Sequence, residues 1–235
     1  MGLIDDNLKK IRVRIANACQ DFDRQQDEIT VVGVCKTVGS EMVRQAWQAG
    51  LKHFGENRVQ EASVKIPLVN RLVARGGNPI WHMVGHLQTN KVKKAIKLFD
   101  IIESVDSLKL AKALSLECAN TGTTKKIMLE VNSSEEESKY GLSPDEVIST
   151  AKEIDRFENL ELIGLMTIGP FTDDVQRIDK AFALTQKLYE QLQDMLGDKI
   201  NTLSMGMSAD FERAIKYGST ELRIGTGIFG SRKYV

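Results

Sequence analysis

The sequence predicts an α/β fold, a single (β/α)8 TIM-type barrel with an extra N-terminal helix, spanning residues 1–235 as one domain. Three observations predict it. Short β-branched runs alternate with helical patterns, and that alternation means a parallel sheet. Eight such units follow one another, which fits a closed barrel better than the alternative, an open doubly wound sheet. The chain has 235 residues, four of them proline, and no composition shift or linker divides it. Single-domain barrels run to about 200–250 residues.

The elements follow in order. Residues 3–24 read as an amphipathic helix, with Ile4, Leu8, Ile11, Ile15 and Ala18 at spacings of three and four. Residues 29–35 form a β-branched run, apolar on both faces as a buried parallel strand requires. Helix 40–49 leads to strand 51–54, and helix 57–74 to strand 79–84. Helix 88–98 leads to strand 99–104, and helix 107–120 to strand 126–131. Helix 143–156 opens on Ser143-Pro144-Asp145 and leads to strand 160–166. Helix 174–195 leads to strand 200–204, and helix 208–217 to strand 221–224. The segment 131–141 is polar, holds three consecutive glutamates and reads as a loop on the face where barrels keep their sites.

Composition narrows the function. Lys plus Arg number 32 and Asp plus Glu number 32, so the formal net charge is zero. Nucleic-acid binders carry a basic excess, so no nucleic-acid partner is expected. The basic run 91–97 reads as a solvated helix face. The longest apolar stretch, 162–169, falls far below the ~20 residues of a membrane span. The N-terminus is acidic and lacks the regions of a signal peptide. Three cysteines, none in a CxxC pair, fit neither a disulfide framework nor a cysteine zinc site. The expectation is a cytoplasmic protein that binds no metal.

A barrel gathers its chemistry at the C-terminal ends of its strands and binds phosphate after strands seven and eight. Lys36 directly follows the first strand. It is either a lysine leaving into solvent or a Schiff-base lysine, whose ordinary pKa of about 10.4 its surroundings must lower. Strand seven runs through Ser204 into Met205-Gly206-Met207-Ser208, and strand eight into Gly225-Thr226-Gly227. These segments are two plain turns or a phosphate cradle, with Ser208 where a helix begins. Arg223 lies inside the last strand and must be paired, with Glu221, another carboxylate or a ligand. His82 and His86 lie four apart without the HExxH pattern. On a strand, positions four apart are separated by about 13 Å, too far to share a metal ion. His82 is a satisfied core histidine or the neighbour of a ligand. Met205 and Met207 read as packing. Lys36, Arg223 and two phosphate loops would suit a flat aromatic aldehyde carrying a phosphate, which describes pyridoxal 5′-phosphate (PLP).

Seven segments carry a resemblance. They are Val32–Thr37, Phe54–Glu61, Trp81–Lys91, Ser104–Ser107, Gly164–Thr167, Leu203–Asp210 and Leu222–Gly230. Together they span residues 32–230, nearly the whole chain, which resembles the YggS/PROSC-type PLP homeostasis proteins. The resemblance implies a barrel like the N-terminal domain of fold-type III PLP enzymes such as alanine racemase. It implies that Lys36 carries PLP and that Arg223 faces the pyridine nitrogen. It implies a phosphate held by Ser208, Gly225 and Thr226 with neighbouring backbone amides, a ring site lined by Asn57, His82, Ser104 and Met166, and Ser204 as a further cofactor-binding residue. Cys35, Glu103 and Gly227 stand where serine, histidine and alanine are common in the family.

The function so implied is PLP binding in intracellular PLP and amino-acid homeostasis, without robust catalysis. Expected partners are PLP and PLP-dependent apoenzymes, for a monomer with no exposed apolar helix face. The alternative is a fold-type III amino-acid racemase. Against it stand the missing companion domain and the lack of a matching second-base tyrosine among Tyr140, Tyr189, Tyr217 and Tyr234. A PLP-free phosphate-binding barrel would leave the pairing of Lys36 with Arg223 unexplained.

Overall fold

A computed structural model describes residues 2–134, 136 and 139–230. Eight parallel strands close into a barrel in chain order. They are β1 (Thr30–Val34), β2 (His53–Glu56), β3 (Ile80–Met83), β4 (Ile101–Val105), β5 (Lys125–Val131), β6 (Leu160–Thr167), β7 (Thr202–Ser204) and β8 (Glu221–Ile224). The last strand pairs with the first, with Val32 opposite Arg223. Among the described residues nine α-helices surround the sheet: α1 (Leu3–Asp21), α2 (Ser40–Gln48), α3 (Val59–Val73), α4 (Val92–Leu98), α5 (Leu108–Thr121), α6 (Pro144–Ile154), α7 (Val175–Leu196), α8 (Phe211–Lys216) and α9 (Thr226–Phe229).

Local chemistry sets the element ends. Ser143 and Glu146 form a capping box at the start of α6, with Pro144 in its first turn. Asp174 accepts from the backbone of Gln176 and Arg177 at the start of α7. Gly122 ends α5 in the left-handed conformation, at φ 64°.

The apolar stripe of α1 is buried as its spacing predicts. Each such side chain contributes about 1.5–3 kcal/mol on burial. Asn7 Nδ2 on this helix donates to the Ile228 carbonyl at 3.0 Å. The N-terminal helix thereby braces the turn that follows β8.

Three expectations need correction. Residues 226–229, read as a glycine loop, form the short helix α9. The helix expected at 208–217 begins only at Phe211, because Asp210 Oδ1 accepts the Met207 amide and closes a turn first. An apolar helix face is exposed after all: Val64, Leu68 and Leu72 stand one turn apart on α3 at 73%, 44% and 47% exposure. A period-four count of apolar residues cannot tell which face a helix turns to the barrel. Glu135, Glu137 and Ser138 of the glutamate loop, and Tyr234, lie outside the described residues.

Candidate functional site

Lys36 follows β1 by two residues and is half-buried. With Val34, Thr37, Gly225, Thr226 and Phe229 it lines a cavity of about 670 Å³ at the C-terminal mouth. The structure thus brings three predicted residues, Lys36, Gly225 and Thr226, to one place. Ser208 reaches the same corner by a different route from the one expected. It stands ahead of α8 rather than at its start, and its Oγ accepts the Gly227 amide at 3.2 Å. This bond ties the β7 loop to the first turn of α9. A Cβ added at Gly225 would meet only Val34 atoms, at 3.5 Å and beyond.

Behind this mouth the barrel interior holds a chain of polar contacts. Arg223 donates from Nη1 to Ser204 Oγ and from Nη2 to the Thr167 carbonyl, both at 2.6 Å. Ser204 donates to Glu103 Oε2 at 2.7 Å. The other Glu103 oxygen lies 2.7 Å from His82 Nδ1, and His82 Nε2 lies 2.9 Å from His53 Nδ1. The partner of Arg223 is therefore not Glu221. That carboxylate lies 3.8 Å from His82 Nδ1, and its Oε1 has no hydrogen-bond partner among the described residues.

Electrostatics follow from this order. Burial alone would raise the Glu103 carboxyl, yet the His82 bond and the Arg223 charge hold it below the ordinary range. Burial and the Glu103 charge push Glu221 up to about 8. Burial opposes a charged His82, but Glu221 and Glu103 raise it. Burial and the neighbouring His82 bring His53 down to about 4. Glu103 and His53 occupy both ring nitrogens of His82, a buried histidine whose two partners lie within the barrel.

His82, Glu103 and Glu221 could by distance hold a cation, their ligand atoms lying within 4.8 Å of one another. A guanidinium 4.0 Å from Glu103 and a carboxyl that keeps its proton near neutrality make them a poor donor set.

The ring-site residues are placed differently from one another. Ser104 is buried, and its Oγ donates to the Gly85 carbonyl at 2.6 Å, so that hydroxyl is engaged within the protein. A Cβ on Gly85 would fall 2.6 Å from the Asn57 carbonyl, so only glycine admits the close approach of these two loops. Asn57 Oδ1 is buried without a partner among the described residues. Met166 packs with Met128 and Ile163 inside the barrel. Its register neighbour Glu130 is 5% exposed, with Oε2 lacking a partner among the described residues. Burial and the Asp106 charge raise Glu130 to about 7, against the pull of Arg223.

His86 bonds to Asp106 at 2.8 Å and stacks on Tyr140 at 3.7 Å, so the two histidines keep separate partners. Tyr189 donates to the Ile200 carbonyl, while Tyr217 lies under Lys216. Cys35 is fully buried, 3.3 Å from Glu56 Oε1, and burial raises its thiol well above the ordinary value.

Sequence reasoning missed Glu130, and it named Glu103 only as a departure from the family pattern and Glu221 only as a candidate partner of Arg223. A carboxylate inside a buried strand is the signal that was present, because it must point at a partner.

Residues 7–233 match the family described as "Alanine racemase, N-terminal domain". The chain is 39% identical over 232 residues to the "Pyridoxal phosphate homeostasis protein" of Haemophilus influenzae, covering 98% of this chain and 97% of that one. It belongs to the pyridoxal phosphate homeostasis protein family. PipY of Synechococcus elongatus, a family member solved with PLP bound, aligns with a TM-score of 0.81 at 30% identity, over 97% of this chain and 100% of that one. The alanine racemase of Clostridium difficile shares the fold, with a TM-score of 0.72 at 18% identity, and this chain spans 57% of its length. The family also frames the departures noted above. Glu103, the departure named from the sequence, is the carboxylate that joins His82 to Ser204.

Proposed function

We propose that this chain is a one-domain PLP-binding protein that holds the cofactor on Lys36 as a Schiff base and serves PLP and amino-acid homeostasis without robust catalysis. The observation that carries the reading is the pairing of one feature at the barrel mouth with another in the interior behind it. A half-buried lysine lines a cavity with Gly225 and Thr226, and a buried guanidinium is held in place by Ser204 and Thr167. The residues fit the group. The glycine corner leaves room for a phosphate, and the buried orphan Asn57 Oδ1 awaits a donor.

PLP supplies an aldehyde for the lysine amine and a ring able to store carbanion charge. This chain's residues limit the second property. A guanidinium at the position of Arg223, beside the ring nitrogen, would disfavour a proton there. Carbanion chemistry at the amino-acid Cα is then handicapped, which supports carriage over turnover. One observation favours the racemase reading: Glu130, raised to about 7, can take and return a proton near neutrality.

Among the described residues no helix is long and apolar enough to cross a membrane. A cytoplasmic monomer that exchanges PLP with apoenzymes is the working reading. Reduction with borohydride tests the function. The purified chain should take up PLP, absorb visible light, and after reduction carry the label on Lys36. A colourless protein that takes up no added PLP would overturn the reading.

A further inference from the structure

We propose that Glu61 and Lys65 are positioning residues for Lys36, clamping the two peptide groups that flank it. The inference rests on the PLP reading of Lys36. Lys65 rises from α3 behind the end of β1 and is 7% exposed. All three of its N–H donors are used. They go to the Cys35 carbonyl at 2.6 Å, to Glu56 Oε1 at 2.5 Å and to Glu61 Oε1 at 3.0 Å. The Cys35 carbonyl belongs to the peptide that enters Lys36. Glu61 Oε1 also accepts the Thr37 amide at 2.6 Å, and that amide belongs to the peptide that leaves Lys36. One ion pair therefore grips Lys36 from both sides.

The backbone needs such a grip. Thr37 has φ +64°, a conformation that β-branched residues rarely adopt. Surrounding contacts must hold it, and the Glu61 contact is one of them. Its own Oγ1 adds a bond to the Lys36 carbonyl at 2.6 Å. A lysine stem is flexible, so the aim of its amine is set first by the Cα–Cβ direction, and two fixed peptide planes determine that direction. A staple that served only to dock α3 on the barrel would need neither the Thr37 amide nor the Cys35 carbonyl. Buried Glu56 supplies the charge that keeps the Lys65 ammonium in place.

The test uses the full chain loaded with PLP. Hydroxylamine captures the aldehyde, and the decay of visible absorbance measures how well the lysine keeps it. Glu61→Ala removes the acceptor of the Thr37 amide and should speed the decay about tenfold, the factor one ordinary hydrogen bond supplies. Borohydride reduction should then place part of the label away from Lys36. Glu61→Gln keeps an acceptor oxygen and should restore a near wild-type rate. Lys65→Met should exceed Glu61→Ala, since it removes the bond to the Cys35 carbonyl and the ion pair that anchors Glu61. Glu61 is partly exposed, so the Ala and Gln pair decides the matter even if Lys65→Met fails to fold. A folded Glu61→Ala protein with the wild-type rate and its label wholly on Lys36 would overturn the clamp. A wild-type chain that binds no PLP overturns the PLP reading and the clamp together.

Discussion

Ser204 Oγ stands between opposite charges, accepting from Arg223 Nη1 at 2.6 Å and donating to Glu103 Oε2 at 2.7 Å. All three residues are buried, with 4% exposure at Arg223 and none at the other two. Ser204→Ala leaves both partners one bond short. The expected cost is about 1–3 kcal/mol, seen as a lower melting temperature, together with faster loss of PLP. Unchanged melting and retention would show that Arg223 is held by Thr167 alone.

Lys36→Ala should lose the visible band of the bound cofactor while leaving the melting of the cofactor-free protein within about 0.5 kcal/mol of wild type, since the side chain is only half-buried. Mass spectrometry after borohydride checks the assignment. A label of full stoichiometry on another lysine would remove Lys36 from its role.

Glu130 makes stability fall with pH. Its folded carboxyl is raised from 4.5 to about 7, so in that window the unfolded chain has released a proton that the folded chain retains. Its contribution to stability is fully present below 4.5 and is lost as pH rises to about 7. Glu130→Gln mimics the protonated form throughout. Melting curves should show the variant gaining on wild type across that window and holding its gain above it. A constant difference across the range would contradict the burial of an ionisable proton here.

Gly164 lies in β6 where a Cβ would fall 1.7 Å from the Thr202 carbonyl oxygen. Gly164→Ala must part β6 from β7 and should cost about 3 kcal/mol or more in denaturant titration. Gly225→Ala meets nothing closer than 3.5 Å and should fold normally. Its methyl group stands at the proposed phosphate corner, so it should weaken PLP retention instead. Equal stability loss in both variants would refute the contrast.

Incubation of the PLP-loaded chain with a panel of L-amino acids should give D-isomers far below the ~10 s⁻¹ typical of enzymes. Chiral chromatography reads the result. Turnover at that level, abolished by Glu130→Gln, would favour the racemase reading and make Glu130 its base.

The alternation of apolar runs and helical periods located all eight strands, with ends that coincide or shift by one or two residues. The Ser143-Pro144 start of α6 was legible because a cap is chemistry between near neighbours in the chain. Lys36 was legible as a lysine at a strand end, because position in a parallel barrel implies which face a residue reaches. The placement of Ser208 at a helix start was wrong for a local reason. A turn closed by Asp210 delays the helix, and one carboxylate decides it. Glu103 was visible only as a departure from the family pattern, since its meaning depends on three partners from other strands.

Sequence by itself determined the fold class, the order of its elements and the lysine that ends the first strand. These follow from period and spacing, which act over a few residues. Only the tertiary structure decided the pairing of the buried charges. Ser204 and Glu103 meet across 101 positions of chain, and Lys65 meets Cys35 across 30. The stagger of a closed barrel brings them together, and no local rule encodes that stagger. The same closure removes water from these groups, so each must find its partner inside the protein.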